Sequence, residues 1–279
     1  MGKKRCRYAF DITRLFVKQF MTDQTTDLAA TLAYFFLLSL FPLAIFVFAL
    51  VPYTGLPERE LFRFISQFMP AEVVTLLRDN LPEILKKSGS LVSVGALATL
   101  WSASNALNAL IRALNHAYRV KETRSFVHTR LLSIGLTLLM VAAIVISLVI
   151  NVVLAGLTQL LFKFIGLDDP FISLWWFISV PVSFLLIFAI FSCLYKLAPS
   201  TLLRWREVYV GAALAAAGWQ VASYAFSVYV RYFGHYSATY GTLGAIIILM
   251  LWFYLSAIMV LTGGQINAII RRLLARRDH

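Results

Sequence analysis

The groups in this chain whose spacing suggests chemistry are amides and arginines set into apolar sequence. Trp101, Asn105, Asn108, Arg112, Asn115 and Arg119 follow one another at steps of four and three, which places them on one face of a helix. The neighbouring face, Leu100, Ser104, Leu107, Ile111 and Leu114, is almost wholly apolar. An asparagine at bilayer depth is costly against lipid, so the polar stripe is expected to turn toward other helices. Two roles fit it: hydrogen-bonding glue between helices, or the wall of a polar path with Arg112 receiving an anionic group at its inner mouth. A second stripe, Gln220, Tyr224, Ser227 and Arg231, has the same spacing and also ends in arginine. Before it, Gly211 to Gly218 carries small residues every fourth position, open to close packing within a chain or between copies in a homo-oligomer. The two stripes run in opposite directions and close at opposite faces, as an inverted three-plus-three repeat would have them.

Enzyme chemistry finds little to work with. The apolar stretches carry no Asp or Glu, so neither paired carboxylates nor a carboxylate proton relay is available there. His116, His128, His235 and His279 are scattered without metal-ligand spacing. There is no phosphate-binding glycine loop and no nucleophile elbow. No cofactor, metal or catalytic residue is expected. The basic loops invite a nucleic-acid reading, but their distribution has another explanation.

That explanation is a membrane. Hydrophobic residues make up 60% of the chain, charged residues 14%, and the mean hydropathy is +0.79, far from the soluble norm. A hydrocarbon core of roughly 30 Å takes about 20 apolar residues per helix. Six segments reach that length, at 28–51, 91–114, 131–154, 172–197, 208–233 and 243–266. The two ends with the second and fourth connections hold 18 of the 25 Lys and Arg and 6 of the 13 Asp and Glu; the other three connections are neutral. The whole formal charge of +12 thus falls on one side, and the retention of Lys and Arg by cytoplasmic loops makes that side the interior. The expectation is an all-α, polytopic protein of a bacterial plasma membrane, with six transmembrane helices and both termini cytoplasmic.

Three accessory segments complete the plan. Residues 1–27 are a basic amphipathic arm, in which Tyr8, Ile12, Leu15, Phe16 and Phe20 form an apolar stripe interrupted by Gln19. Lys4, Arg7, Arg14 and Lys18 would meet anionic lipid headgroups at the cytoplasmic face. Residues 52–90 read as short amphipathic helices on the outer face, punctuated by Pro57, Pro70 and Pro82. Residues 271–279 form a basic tail. No continuous apolar stretch in the first 27 residues resembles a cleavable signal. Cys6 and Cys193 imply no disulfide. Trp175 and Trp176 suit an outer aromatic belt, and Pro42 and Pro181 fall inside spans.

Read in order, these segments resemble the YihY/BrkB family of bacterial inner-membrane proteins. The resemblance covers roughly residues 10–270. It rests on Asp27 to Tyr34 with Ser39 and Pro42, on Trp101 to Asn105 continuing to Tyr118, and on Tyr195 to Pro199. Gly211, Tyr240-Gly241, Trp252, Tyr254 and Gly263-Gly264-Gln265 carry the rest. Family members commonly carry glutamate where this chain has Gln265, which puts in doubt here any ion coupling that the acid serves in relatives. The family has borne the name of a tRNA-processing ribonuclease, a chemistry that no residue here supports. It has also been linked to the passage of envelope lipids, so the resemblance implies movement of a lipid or similar amphiphile.

Two hypotheses follow. The first is a transporter or flippase-like mover of an anionic amphipathic substrate, using Trp101, Asn105, Asn108, Arg112, Gln220, Tyr224, Ser227 and Arg231, with membrane lipids and not nucleic acid as partners. The second is a non-transporting envelope scaffold whose stripes are packing glue. A polar cavity containing Asn105, Asn108, Gln220 and Tyr224 would favour the first, and tight interdigitation the second.

Overall fold

The computed structural model of the chain describes residues 14–54, 89–143, 171–233 and 242–275. Every regular element there is an α-helix. A short helix α1 (14–22) is followed by α2 (Thr25–Thr54), α3 (Gly89–Tyr118), α4 (Phe126–Ala143), α5 (Phe171–Leu197), α6 (Trp205–Phe233) and α7 (Thr242–Ala275). Helices α2 to α7 correspond in order to the six apolar segments. Among the described residues four stretches are long and apolar enough to cross a membrane: Ser93–Tyr118, Phe126–Ala143, Val180–Leu197 and Ile246–Ala275. Helix α2 contributes a shorter apolar stretch, Thr25–Ser39. Helix α6 has the length, 29 residues, but Gln220, its glycines and its tyrosines dilute its apolarity. The amphipathic segment 55–88, the continuation of the third apolar segment past residue 143, and Tyr240 and Gly241 lie outside the described residues.

Local sequence explains where the helices stop. Helix α3 ends in a Schellman turn, in which the Val120 N–H donates to Asn115 O and the Arg119 N–H to His116 O, both at 3.0 Å. Arg119 occupies the left-handed position of that turn, at φ 56°, where glycine is usual. Helix α5 runs through Pro181 and stops before Pro199, which cannot extend it. Helix α6 opens with a reciprocal cap. The Arg204 N–H donates to Glu207 Oε2 at 2.8 Å, and the Glu207 N–H to Arg204 O at 2.9 Å.

Small residues set the packing. Ala29 and Ala33 of α2 and Ala106, Ala109, Ala113 and Ala117 of α3 are all buried, as are Ala212, Ala215 and Ala216 of α6 and Ala257 and Ala268 of α7. Gly211 and Gly263 bring the α6 and α7 backbones together. A methyl group on Gly263 would lie 2.6 Å from Gly211 O and 2.7 Å from Ala215 Cβ, closer than atoms tolerate. The small-residue face of the fifth apolar segment is thus used within the chain. Gly263 and Gly264 serve close packing in a helix that continues unbroken to Ala275. Larger side chains such as Leu32, Ile111, Leu114, Leu194, Tyr195 and Ile269 fill the space that remains.

Hydrogen bonds gather the arm, the second and fourth connections and the end of α7 at one end of the bundle. The Gln19 Nε2 donates to Ala117 O at 3.0 Å and its Oε1 accepts from Arg272. The Gln265 Nε2 donates to the Thr25 hydroxyl at 2.7 Å, and Arg271 donates to the Thr201 hydroxyl at 3.1 Å. The described parts of the arm, the second and fourth connections and the end of α7 therefore meet at one end.

Candidate functional site

The polar stripe of α3 does not form the core face of the bundle. Ser104, Leu107, Ile111 and Leu114, from the face expected to be apolar, are buried, whereas within the stripe only Asn115 is buried, Asn105 and Asn108 are half-buried, Trp101 is 58% exposed and Arg112 is exposed. The expectation that the stripe points inward is corrected, and the reason is local. Asn105 does not need the bundle interior, because α4 lies along the flank of α3 and supplies a partner.

That partner is Arg130. Its Nη1 donates to Asn105 Oδ1 at 2.7 Å and its Nη2 to Trp101 O at 3.2 Å. The guanidinium carbon lies 3.7 Å from the centroid of the Trp101 ring, in the range of a cation–π contact. Arg130 is only 9% exposed, and its Nε is buried without a hydrogen-bond partner. Among the described residues no carboxylate comes within ion-pair distance of it. An arginine at the centre of a membrane helix costs roughly 2.5–3.5 kcal/mol. One turn inside α4 the cost is smaller, but it is offset here by dipoles and a ring and by no opposite charge.

The Trp101 ring is also a wall. Leu38 of α2, Val94, Leu97 and Trp101 of α3 and Ile134 of α4 line a groove of about 840 Å³. Val94 and Leu97 are more than 60% exposed, so the groove opens sideways, where lipid would lie. Its lining is apolar apart from Ser102 and the indole. The arrangement joins an acyl-sized apolar groove to a cation held just behind an aromatic ring. Among its described lining residues no group is placed for acid–base work.

The remaining candidates are dispersed. Asn108 is half-buried. The Gln220 Nε2 donates to Val180 O at 3.3 Å, tying α6 to α5. Tyr224 and Ser227 are exposed, and the Arg231 side chain lies outside what the structure describes. Among the described residues no hydrogen bond joins the α3 stripe to the α6 stripe, and Asn105, Asn108, Gln220 and Tyr224 are not gathered in one polar cavity.

Family-signature residues instead concentrate at the closed end of the bundle. Tyr195 is fully buried and its hydroxyl donates to Val260 O at 2.6 Å. Gly211 N donates to Asn267 Oδ1 at 2.7 Å, and Asn267 Nδ2 donates to Val208 O at 3.0 Å, so one buried amide bridges α6 and α7. Gln265 is buried with its Oε1 unpartnered. Pro199 is buried, Trp252 meets Trp219 edge-on at 6.0 Å, and the Ser39 hydroxyl donates to Phe36 O at 2.7 Å. Asp27 stands in the first turn of α2 and Tyr34 is half exposed. Pro42 continues α2.

The second connection locks onto the fourth. Arg124 donates to the carbonyls of Ala198 at 3.0 Å and Pro199 at 2.7 Å, capping α5. Asn115 donates to Glu122 Oε2 and accepts from Ser200 N, each at 2.7 Å. Burial pushes the Glu122 carboxyl up. The Arg124 N–H, the Asn115 amide, the Ser200 hydroxyl and the Arg124 charge outweigh it and hold the group below the usual carboxylate range.

Sequence reasoning missed Arg130 and Arg124, counting both as loop charges. For Arg130 a signal was present: it directly precedes the apolar run 131–154, and helical continuation carries it inside. Nothing local marks Arg124, whose partners lie more than seventy residues away.

Comparison with known proteins agrees with this architecture. The family model described as Virulence factor BrkB matches residues 16–279. The ribonuclease-like protein YfkH of Bacillus subtilis (strain 168) is 45% identical over 245 residues, covering 88% of this chain and 89% of its own. A UPF0761 membrane protein of Tolumonas auensis is 29% identical over 270 residues, covering 94% and 86%. One from Alkalilimnicola ehrlichii is 30% identical over 268 residues, covering 93% and 58%. No solved structure matches. A helical bundle with four membrane-length apolar stretches and a family match over nearly its whole length is a membrane protein, and the chain belongs to the BrkB family.

Proposed function

We propose that this protein moves, or helps to move, an anionic amphipathic lipid across a bacterial inner membrane, as a six-span protein with both termini in the cytoplasm. The observation that carries the reading is Arg130: a buried cation with no carboxylate partner among the described residues, against the Trp101 wall of an apolar groove. A lipid chain would lie along Leu38, Val94 and Leu97, and its anionic headgroup would take the face of Arg130 now covered by the indole. Trp101 acts as the gate, since turning its ring exposes the guanidinium to the groove. Asn105 holds Arg130 in position. Arg112, exposed two to three turns further along the same face, offers a second stop nearer the cytoplasm. Asn108 lies between them.

The test is movement of a fluorescent anionic lipid in proteoliposomes, with thermal stability measured on the same samples. Arg130→Met combined with Asn105→Leu removes the charge and leaves no amide unpaired. Replacing a buried polar pair by apolar residues is often neutral or stabilising. The double variant should therefore keep its melting temperature and lose lipid movement by tenfold or more, and Arg112→Ala should slow it. Full movement in the double variant rejects the site. The alternative reading, a non-transporting scaffold, draws on the tight Gly211–Gly263 contact. It expects no lipid movement by the wild type and a lower melting temperature in the double variant.

A further inference from the structure

A second cavity lies at the closed end of the bundle, away from the lateral groove. It measures about 200 Å³ and is formed where three elements meet: Leu15, Lys18 and Gln19 of α1, Arg119 at the end of α3, and Ile269 and Arg272 of α7. Drug-sized ligands use roughly 300–1,000 Å³, so this volume suits a headgroup and not a whole lipid. Its described lining carries three cations and no carboxylate. Asp23, just after α1, lies 3.3 Å from His116. Arg272 is held over the cavity by Gln19 Oε1 and by its own bond to Ala268 O.

Arg119 is the second, independent observation. It holds the left-handed position of the Schellman turn at φ 56°, a site that glycine fills without strain and a residue with a side chain does not. A strained residue at a cavity mouth is a reason to look for a role, and here the strain delivers a guanidinium to the cavity. Leu15, at the cavity, is 39% exposed, and Val17 and Met21, on the opposite flank of α1, are 53% and 73% exposed, so the helix offers apolar side chains to lipid as an interfacial helix does.

We infer that this cavity binds the phosphate of an anionic phospholipid, and that the bound headgroup clamps α1 to the ends of α3 and α7. Lys18 and Arg119 supply charge from either side and Arg272 forms the floor. The phosphate chemistry is shared with soluble phosphate; the lipid is favoured because α1, which forms one wall of the cavity, exposes Leu15, Val17 and Met21 as a helix lying in the lipid interface does.

The experiment uses the full chain in phosphatidylcholine nanodiscs, with melting temperature followed as phosphatidylglycerol is titrated in. A rise is expected for the wild type. Arg119→Gly keeps the turn and removes the charge, so its melting temperature without phosphatidylglycerol should match or exceed wild type. Its half-maximal phosphatidylglycerol content should rise about fivefold, the equivalent of about 1 kcal/mol per cation. Adding Lys18→Gln should raise it about as much again. An unchanged midpoint in the double variant overturns the site, since an Arg119 serving only as a helix end would leave the lipid response intact. An equal rise produced by inorganic phosphate without phosphatidylglycerol overturns the lipid assignment. Neither variant touches Arg130, and Arg130→Met should keep this response, so failure here and failure of the lateral groove are read separately.

Discussion

At the scale of single residues, the polar groups in this protein divide into those satisfied across helices and those left short. Asn267 uses both ends of its amide on Gly211 and Val208, and Asn115 uses both on Glu122 and Ser200. Arg130 is left short, with a buried Nε and no carboxylate in range among the described residues, and for that reason it draws the functional argument. Glu122 is a satisfied group whose balance depends on pH. Its carboxyl is held below the usual range, so the ionised form is favoured by the folded loop. That contribution is present above the ordinary glutamate range and is lost as pH falls through the lowered value. Glu122→Gln should cost under about 1 kcal/mol at neutral pH, as an exposed group allows. The gap between wild type and variant should close in acid; melting curves of both from neutral to acid pH check this, and a gap that widens in acid would contradict the assignment.

At the scale of elements, the α6–α7 contact shows how composition becomes geometry. Two glycines facing each other let the helices approach until only backbone and small side chains separate them. In lipid there is no hydrophobic driving force between helices, so that closeness and the Asn267 bridge hold them. Gly263→Val should cost about 1–3 kcal/mol or more by overpacking, seen as a lower melting temperature in detergent. Gly135, with open space around the position of an added methyl, should accept alanine without loss. Equal stability of the two variants would mean that the close approach is not a source of stability. The arm makes a related point. Gln19, which interrupts the apolar stripe of α1, is 5% exposed and bonded to Ala117 and Arg272, so the interruption is where the arm enters the bundle.

At the scale of the whole molecule, the charge asymmetry and the bundle geometry agree on which segments share a face. Arg124 reaches the end of α5, Gln19 the end of α3, and Gln265 the start of α2. An even number of spans with both ends at one face accommodates these contacts. Single cysteines at Arg59 and Arg124, labelled from outside intact cells, should react at the first position and stay silent at the second. The reverse pattern would turn the protein over and remove the cytoplasmic headgroup site with it.

Hydropathy determined the membrane class and the order of the apolar helices among the described residues, because each is a sum over many residues that no single contact can overturn. Periodicity also found the stripe of Trp101 and Asn105 and the small face of α6. Only the tertiary structure decided which face of α3 is buried, since a helix carries no mark of where its neighbour will lie. That choice turned on α4, whose Arg130 meets Asn105 from 25 residues away. Whether a polar side chain reads as core or as surface depends on the group brought opposite it, and that group is chosen by packing between segments remote in sequence.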